Sequence, residues 1–157
     1  MKNLLNSKML FLIFQKLISK QKLDSSLKKL LSTGFIISNN CFFLKCLFEN
    51  QKHIKESDFI DKVGYECFIN SIHIDDYVQN NLFEQSILFA EKLINLWNAQ
   101  NSGKNLKIIL VETYFGFNLK FHIERENEEW IDENELNNFK EGIIIINIPR
   151  SHKCSDG

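Results

Sequence analysis

The sequence predicts an α+β protein in which helices pack on one face of a largely antiparallel sheet of about four to five strands. Three patterns predict it: a long amphipathic helix in mid-chain, a strictly alternating strand after it, and short apolar runs on either side of that strand. The 157 residues, 44% of them hydrophobic and 25% charged, correspond to one domain with a packed core. We therefore treat 1–157 as a single α+β domain.

Residues 1–62 form a part of the chain that is predicted to be mainly helical. Apolar residues recur at helical spacing over 3–20, and lysines fill the other side. Asp24 is a helix cap, and the segment after it predicts a second helix. The Ser-Asn-Asn run at 38–40 is predicted to cap a third helix through 41–48.

The rest of the domain, residues 63–150, is predicted to have the order β-α-β-β-(α)-β. A strand is predicted over 65–74, because the segment is rich in β-branched and aromatic residues. Asn81 and Glu84 then have the spacing of a capping box at the start of a helix. The apolar stripe of that helix has spacings of 4, 3, 4 and 3 and consists of Phe83, Ile87, Ala90, Ile94 and Trp97.

Three further strands complete the predicted sheet. The segment 106–111 is apolar on both faces, as expected of a central strand, and 117–124 alternates strictly between apolar and polar residues. The short connection between them predicts an antiparallel hairpin. The segment 142–148 is the last strand, and residues 151–157 are predicted to be a flexible tail.

The charge distribution is uneven, although the net charge is only −1. Residues 1–30 carry seven lysines against Asp24, a net charge of +6, whereas 124–141 carry eight acids against two bases, a net charge of −6. Such segments are solvated faces or surfaces that steer a partner. The pI of about 6.4 and the presence of only two arginines argue against nucleic-acid binding.

Targeting signals are not evident in the sequence. The apolar run at 9–14 is shorter than a signal-peptide core or a membrane span, so we expect a cytoplasmic protein that does not insert into membranes. Attachment of the lysine-rich first helix to a membrane surface remains an alternative.

No catalytic or metal-binding signature is present. The phosphate-binding, dinucleotide-binding, nucleophile-elbow and zinc-protease motifs are all missing, and the four cysteines (41, 46, 67 and 154) lack metal-site spacing. We therefore predict reduced thiols, no cofactor and no enzymatic activity. The alternative is a small enzyme or ligand-binding domain with a site around His73, Asp75 and His122, since histidine and carboxylate can form an acid–base pair.

Trp130 lies within a dense run of carboxylates at 126–133. Tryptophan is enriched as an anchor in protein interfaces, and acidic surroundings accelerate docking to a basic partner. The alternative is that Trp130 packs in the core and the acids are only solvated.

The stretch 64–146 resembles immunity proteins of bacterial polymorphic-toxin systems, of the contact-dependent growth-inhibition kind. The segments that carry the resemblance are 64–70, 73–77, the helix up to Trp97, and 121–130. The resemblance implies a non-enzymatic protein that binds a cognate toxin domain and occludes its active site. Such toxins are often nucleases and therefore often basic. The contacts predicted on this basis are Glu126, Glu128, Glu129, Trp130, Asp132 and Glu133, with Asp75 and Asp76 as a second patch; the oligomeric state stays open.

Overall fold

The fold is that of a computed structural model, which describes residues 20–150. The predicted helix over 3–20, apart from Lys20, and the predicted tail over 151–157 lie outside the described residues. The described α-helices are α1 (Ser25–Ser32), α2 (Lys45–Asn50), α3 (Lys62–Ile69) and α4 (Leu82–Gln100). The strands are β1 (Phe35–Ser38), β2 (Cys41–Leu44), β3 (Ser71–His73), β4 (Leu106–Glu112), β5 (Phe117–Ile123) and β6 (Ile143–Ile148). Short 3₁₀ turns span Glu56–Asp58, Ile74–Asp76 and Glu133–Asn138.

The main sheet has four antiparallel strands in the order β3-β5-β4-β6, and β1 and β2 form a separate two-stranded hairpin. This architecture confirms the predicted α+β class. Because side chains alternate along a strand, the main sheet has two distinct faces. The core face carries the buried apolar residues of β4, β5 and β6, and we call the opposite face the outer face.

The core lies between α4 and the core face of the sheet. The apolar stripe of α4 is buried there, except for Phe83, which is 36% exposed. The β1–β2 hairpin closes one end of this core, where Phe35 and Phe42 pack edge-on against Trp97 at centroid distances of 5.4 and 5.2 Å. Edge-to-face contacts of this kind add to the free energy of apolar burial.

Several predicted elements are confirmed. Helix α1 begins after Asp24, whose side chain accepts a hydrogen bond from the Ser26 N–H at 2.9 Å. Helix α4, strands β4 and β5 and their hairpin, and strand β6 also lie where predicted. The capping box of α4 is wrong, because Asn81 adopts a left-handed conformation and its side chain makes no cap hydrogen bond.

The predicted helix through 41–48 is wrong, because Cys41–Leu44 is a strand and helix α2 begins only at Lys45. Asn39 and Asn40 both have positive φ, at 50° and 62°, which reverses the chain between β1 and β2. Two-residue hairpin turns require this backbone geometry, and asparagine tolerates it better than most residues. The asparagines are therefore a hairpin turn and not a helix cap.

The predicted strand over 65–74 is also wrong for its first half, because Lys62–Ile69 is helix α3 and only Ser71–His73 is a strand. The side chain of Asp61 accepts a hydrogen bond from the Gly64 N–H at 2.7 Å and so caps the helix. Helix α3 is buried on more than one side, so its sequence lacks the polar stripe of a surface helix.

Candidate functional site

The acidic segment, residues 124–141, lies across the outer face of the main sheet. Trp130 stacks over Lys120 of β5, and Glu133 forms an ion pair with Lys107 of β4 at 2.6 Å. Ile109 and Ile145, in the middle of the outer face, are each only 1% exposed although they do not belong to the main core. The acidic segment is therefore part of the folded structure and covers the second face of the sheet.

A buried ion pair that the sequence analysis missed holds the start of the acidic segment. Glu66 has no exposed surface, and Arg125 donates to both of its oxygens at 2.7 and 3.0 Å. The backbone N–H groups of Phe42 and Ile123 also donate to this carboxylate, at 2.7 and 3.1 Å. Arg125 donates a further hydrogen bond to the Asn40 carbonyl at 2.9 Å. Glu66 thus joins the hairpin, helix α3 and strand β5 at one point.

Opposing effects act on the ionisation of this pair. Burial raises the pKa of Glu66, while the hydrogen bonds and the charge of Arg125 act to lower it. Burial acts to lower the pKa of Arg125, but the hydrogen bonds and charge of Glu66 outweigh it, so that pKa is raised. All four groups bound to Glu66 are donors, which is the arrangement that an ionised carboxylate requires.

Asn70, one helical turn after Glu66, completes the connection between the two sheets. Its side-chain N–H₂ donates to the carbonyls of Phe42 and Phe121 at 2.8 and 3.2 Å, and its Oδ1 accepts from the Leu44 N–H at 3.2 Å. Glu66 and Asn70 therefore hydrogen-bond backbone N–H and C=O groups at the facing edges of β2 and β5. In a continuous sheet, a strand between β2 and β5 would pair with these groups. The sequence does contain a sign of this connecting role. Glu66 and Asn70 are polar residues at positions i and i+4 within an apolar stretch, a pattern that favours a buried helix with one polar edge.

Three of the predicted contact acids make internal interactions. The Glu128 carboxylate accepts a hydrogen bond from the Val63 N–H at 3.1 Å, in the first turn of α3. Glu133 is paired with Lys107, and Asp132 accepts from the Asn134 N–H at 2.8 Å and caps the 3₁₀ turn. These contacts position the acidic segment, and Asp132 remains exposed at the surface.

Trp130 is one of two aromatic side chains, with Phe139, that the acidic segment exposes to solvent. It is 41% exposed, and the Lys120 Nζ lies 5.2 Å from its ring centroid, within the range of a cation–π interaction. The alternative in which Trp130 packs in the core is therefore wrong. Glu126 and Glu129, shortly before it in the sequence, are exposed and form no hydrogen bond or ion pair within residues 20–150.

Lys120 supports Trp130 from below. Its Nζ donates to the Ser71 Oγ at 2.9 Å and to the Cys67 carbonyl at 3.3 Å. Burial lowers the pKa of Lys120. The cation is thus held by two acceptors on neighbouring elements, which restrains the position of the indole ring above it.

The second predicted patch lies beside the β4–β5 hairpin turn. A Cβ added at Gly116 would lie 3.0 Å from the Asp75 Oδ1, and this oxygen is buried without a hydrogen-bond partner among the described residues. Asp76 is exposed. The turn carries Tyr114 and Phe115, which are 95% and 76% exposed and pack edge-on against each other.

The second patch lies next to the start of strand β5, which also carries Lys120 beneath Trp130. Gly116 precedes Lys120 by four residues, about 13 Å along an extended chain at 3.3 Å per residue.

The alternative site around His73, Asp75 and His122 is not assembled in the described part of the chain. The His73 Nε2 lies 3.0 Å from the Asn118 amide nitrogen, whereas His122 is 2% exposed and bonds through Nδ1 to the Ile123 carbonyl at 2.8 Å. No hydrogen bond or ion pair within residues 20–150 joins any two of the three side chains.

A family model, described as the uncharacterized protein PM0498 family, matches residues 4–155 of the chain. The chain belongs to this family. It is 31% identical over 140 residues to uncharacterized protein PM0498 of Pasteurella multocida strain Pm70, an alignment that covers 82% of this chain and 86% of the relative. No solved structure matches the chain. Family membership therefore spans nearly the whole sequence, but the description of the family names no activity.

Three further properties concern the described residues alone. None of the helices within 20–150 combines the length and the apolar character needed to cross a membrane. No cluster of three or more His, Cys, Asp or Glu side chains in the same range could hold a metal ion. Cys41, Cys46 and Cys67 are free thiols, and burial raises the pKa of Cys41 to about 11, so this thiol is protonated at neutral pH.

Proposed function

We propose that the chain is a non-enzymatic protein-binding module, an immunity protein that neutralises a cognate toxin domain by occluding its active site. The observation that carries this proposal is Trp130, a large aromatic side chain that is 41% exposed, supported by Lys120 and flanked by exposed carboxylates. A restrained aromatic anchor with charged neighbours is a common feature of binding hot spots.

The attachment of the acidic segment favours binding with little loss of conformational entropy. Arg125 joins its start to Glu66, Glu128 joins its turn to helix α3, and Glu133 joins its middle to strand β4. A surface that is ordered before it meets a partner avoids much of the cost of ordering side chains on binding. A pre-ordered inhibitory surface is well suited to rapid neutralisation of an incoming toxin.

The charge of the segment favours a basic partner. The segment carries a net charge of −6, and Glu126 and Glu129 have no internal partner within residues 20–150. Long-range attraction between complementary charges raises the association rate. Nuclease toxin domains bind polyanions and are often basic, so a nuclease is the partner class that we propose.

The predicted contact residues divide into two groups on this basis. Glu126, Glu129, Trp130 and Asp132 present exposed groups and are proposed to touch the partner directly. Glu128 and Glu133 are proposed to act indirectly, because their carboxylates hold the acidic segment in place. Asp75 and Asp76, beside the exposed aromatic turn, are proposed as a second contact patch.

Co-expression with the C-terminal domain of the protein encoded immediately upstream tests the proposal. We expect the wild-type chain to relieve the toxicity of that domain and to co-purify with it. The double variant Glu126→Lys/Glu129→Lys should lose both effects while remaining folded by circular dichroism. The matched control is Glu49→Lys, a charge reversal at an exposed residue of helix α2, distant in sequence from both patches, and it should behave as wild type.

Two outcomes would contradict parts of the proposal. Growth arrest and no complex with the wild-type chain, when both proteins are folded, would contradict the immunity function. Full protection by Glu126→Lys/Glu129→Lys would leave a binding function possible but would exclude this face of the molecule.

A further inference from the structure

Within residues 20–150, the outer edge of strand β6 is a row of unpaired backbone groups. Strand β6 is last in the order β3-β5-β4-β6, so only one of its sides has a neighbour among the described strands. The Glu112 N–H donates to the Gly142 carbonyl at 2.8 Å, and this pair has the same register as β4 and β6. In an antiparallel ladder, alternate residues face the same side, so 144, 146 and 148 face β4. The N–H and C=O groups of Ile143, Ile145 and Asn147 therefore face away from the sheet.

These outward groups have no backbone partner among residues 20–150, because β6 pairs with β4 alone. Natural proteins protect sheet edges with charged residues, proline, bulges or very short strands. Strand β3, at the other edge, has only three residues, whereas β6 has six residues and the sequence Ile-Ile-Ile-Ile-Asn-Ile. The β6 edge is long, apolar and uncharged, which are the properties of an edge that accepts another strand.

We propose that β6 pairs with β6 of a second copy of this chain, so that the two main sheets join in an antiparallel arrangement. A two-fold axis at Ile145 places Ile143 of each copy opposite Asn147 of the other. The three outward residues of both strands then match, with two hydrogen bonds for each of the three residue pairs. Pro149 is the next outward position after Asn147, and its missing N–H ends the ladder there.

Charge and packing around β6 are compatible with a second copy. A two-fold contact brings each side chain near its own equivalent, so charges on the edge would repel, and Ile143–Ile148 contains none. Ile143 and Ile144 are only partly buried and would gain apolar contacts on the two faces of the joined sheet. Helix α4 packs over β5 and β4, the strands on the inner side of β6.

The test is the oligomeric state of the full chain without any partner protein, measured by sedimentation equilibrium over a range of concentrations. We expect a dimer with twice the monomer mass of 18.5 kDa. Asn147→Pro removes one outward N–H at an exposed position and should yield a monomer. The matched control, Asn147→Thr, keeps the N–H and the strand propensity and should remain dimeric.

A second measurement covers the case in which Asn147→Pro fails to fold. Amide hydrogen exchange of the wild type should protect Ile145 more strongly as the concentration rises, because the N–H becomes bonded in the dimer. A wild-type chain that stays monomeric at every concentration would overturn the proposal, as would a folded Asn147→Pro chain that remains dimeric. Neither result depends on whether the chain binds a toxin.

Discussion

Glu66 shows how one residue can connect elements that are distant in the sequence. Its carboxylate is fully buried and receives hydrogen bonds from Arg125, 59 positions later, and from the backbone of β2 and β5. No local pattern predicts such a contact, because the partner of a buried charge is selected by the tertiary fold. A buried glutamate within an apolar stretch does indicate that a cation or several N–H groups must lie near it.

We expect Glu66→Gln to lower the free energy of unfolding by about 3–5 kcal/mol, since it leaves the Arg125 side chain, which is only 11% exposed, without its counter-ion. Urea denaturation followed by circular dichroism measures this change. The control is Glu124→Gln, an exposed acid 3.7 Å from Lys107, which should cost less than about 1 kcal/mol. Equal losses in the two variants would contradict the role assigned to Glu66.

His122 is a buried histidine in a neutral, incompletely bonded state. Its Nδ1 donates to the Ile123 carbonyl, and its Nε2 has no partner among the described residues. Burial lowers the pKa of His122 from the ordinary 6.5, the hydrogen bond to the Ile123 carbonyl opposes this effect, and the charges of Lys107 and Arg125 lower the pKa by smaller amounts. The native state therefore binds fewer protons at this site than the unfolded chain does between the lowered pKa and 6.5.

Stability should consequently fall as the pH drops below about 6.5, because protonation of His122 favours the unfolded chain. We expect the free energy of unfolding of the wild type to decrease between about pH 7 and 5, and His122→Gln to show a flatter dependence. Denaturation at a series of pH values measures both slopes, and the exposed His53, in a His53→Gln chain, is the control. Parallel curves for wild type and His122→Gln would contradict the assignment.

At the scale of elements, the sequence was most informative where one periodic pattern decides the structure. Helix α4 has a continuous apolar stripe, and β5 alternates strictly, so both were predicted close to their observed bounds. The patterns failed at β2, where buried apolar residues occupy every position, and at α3, where Glu66 and several apolar residues are buried together. In such segments the turn and capping residues determine whether a strand or a helix forms. Asn39 and Asn40 form the turn before β2, and Asp61 caps helix α3.

The β1–β2 turn gives a prediction for one position. Asn40 has φ of 62°, a conformation that a β-branched residue adopts only at a cost of roughly 1–2 kcal/mol. We expect Asn40→Val to lower the free energy of unfolding by about this amount and Asn40→Gly to leave it unchanged or raise it. Thermal and urea denaturation of the two variants measure the difference. A valine variant as stable as the glycine variant would exclude this turn geometry.

At the scale of the whole molecule, the acidic segment closes the outer face of the sheet and presents Trp130 to solvent. The sequence predicted an exposed role for Trp130 as one of two alternatives, and it predicted the acidic contacts as a group. The sequence could not show which acids are exposed and which hold the acidic segment in place. The groups that bind Glu133 and Glu128 belong to Lys107 and Val63, which are distant in the sequence. That separation depends on the register of β4 against β5 and on the position of α3, both of which are tertiary properties.

The most direct test of the proposed function is the dissociation constant between the purified chain and an inactivated form of the upstream-encoded toxin domain, measured by calorimetry. We predict that Trp130→Ala weakens binding by about 30-fold or more, since hot-spot residues contribute at least about 2 kcal/mol. The matched control is Phe139→Ala, an aromatic residue of the same segment that is 45% exposed and outside the predicted contacts. It should change the constant by less than about threefold. Equal affinity of the wild-type and Trp130→Ala chains would contradict the account.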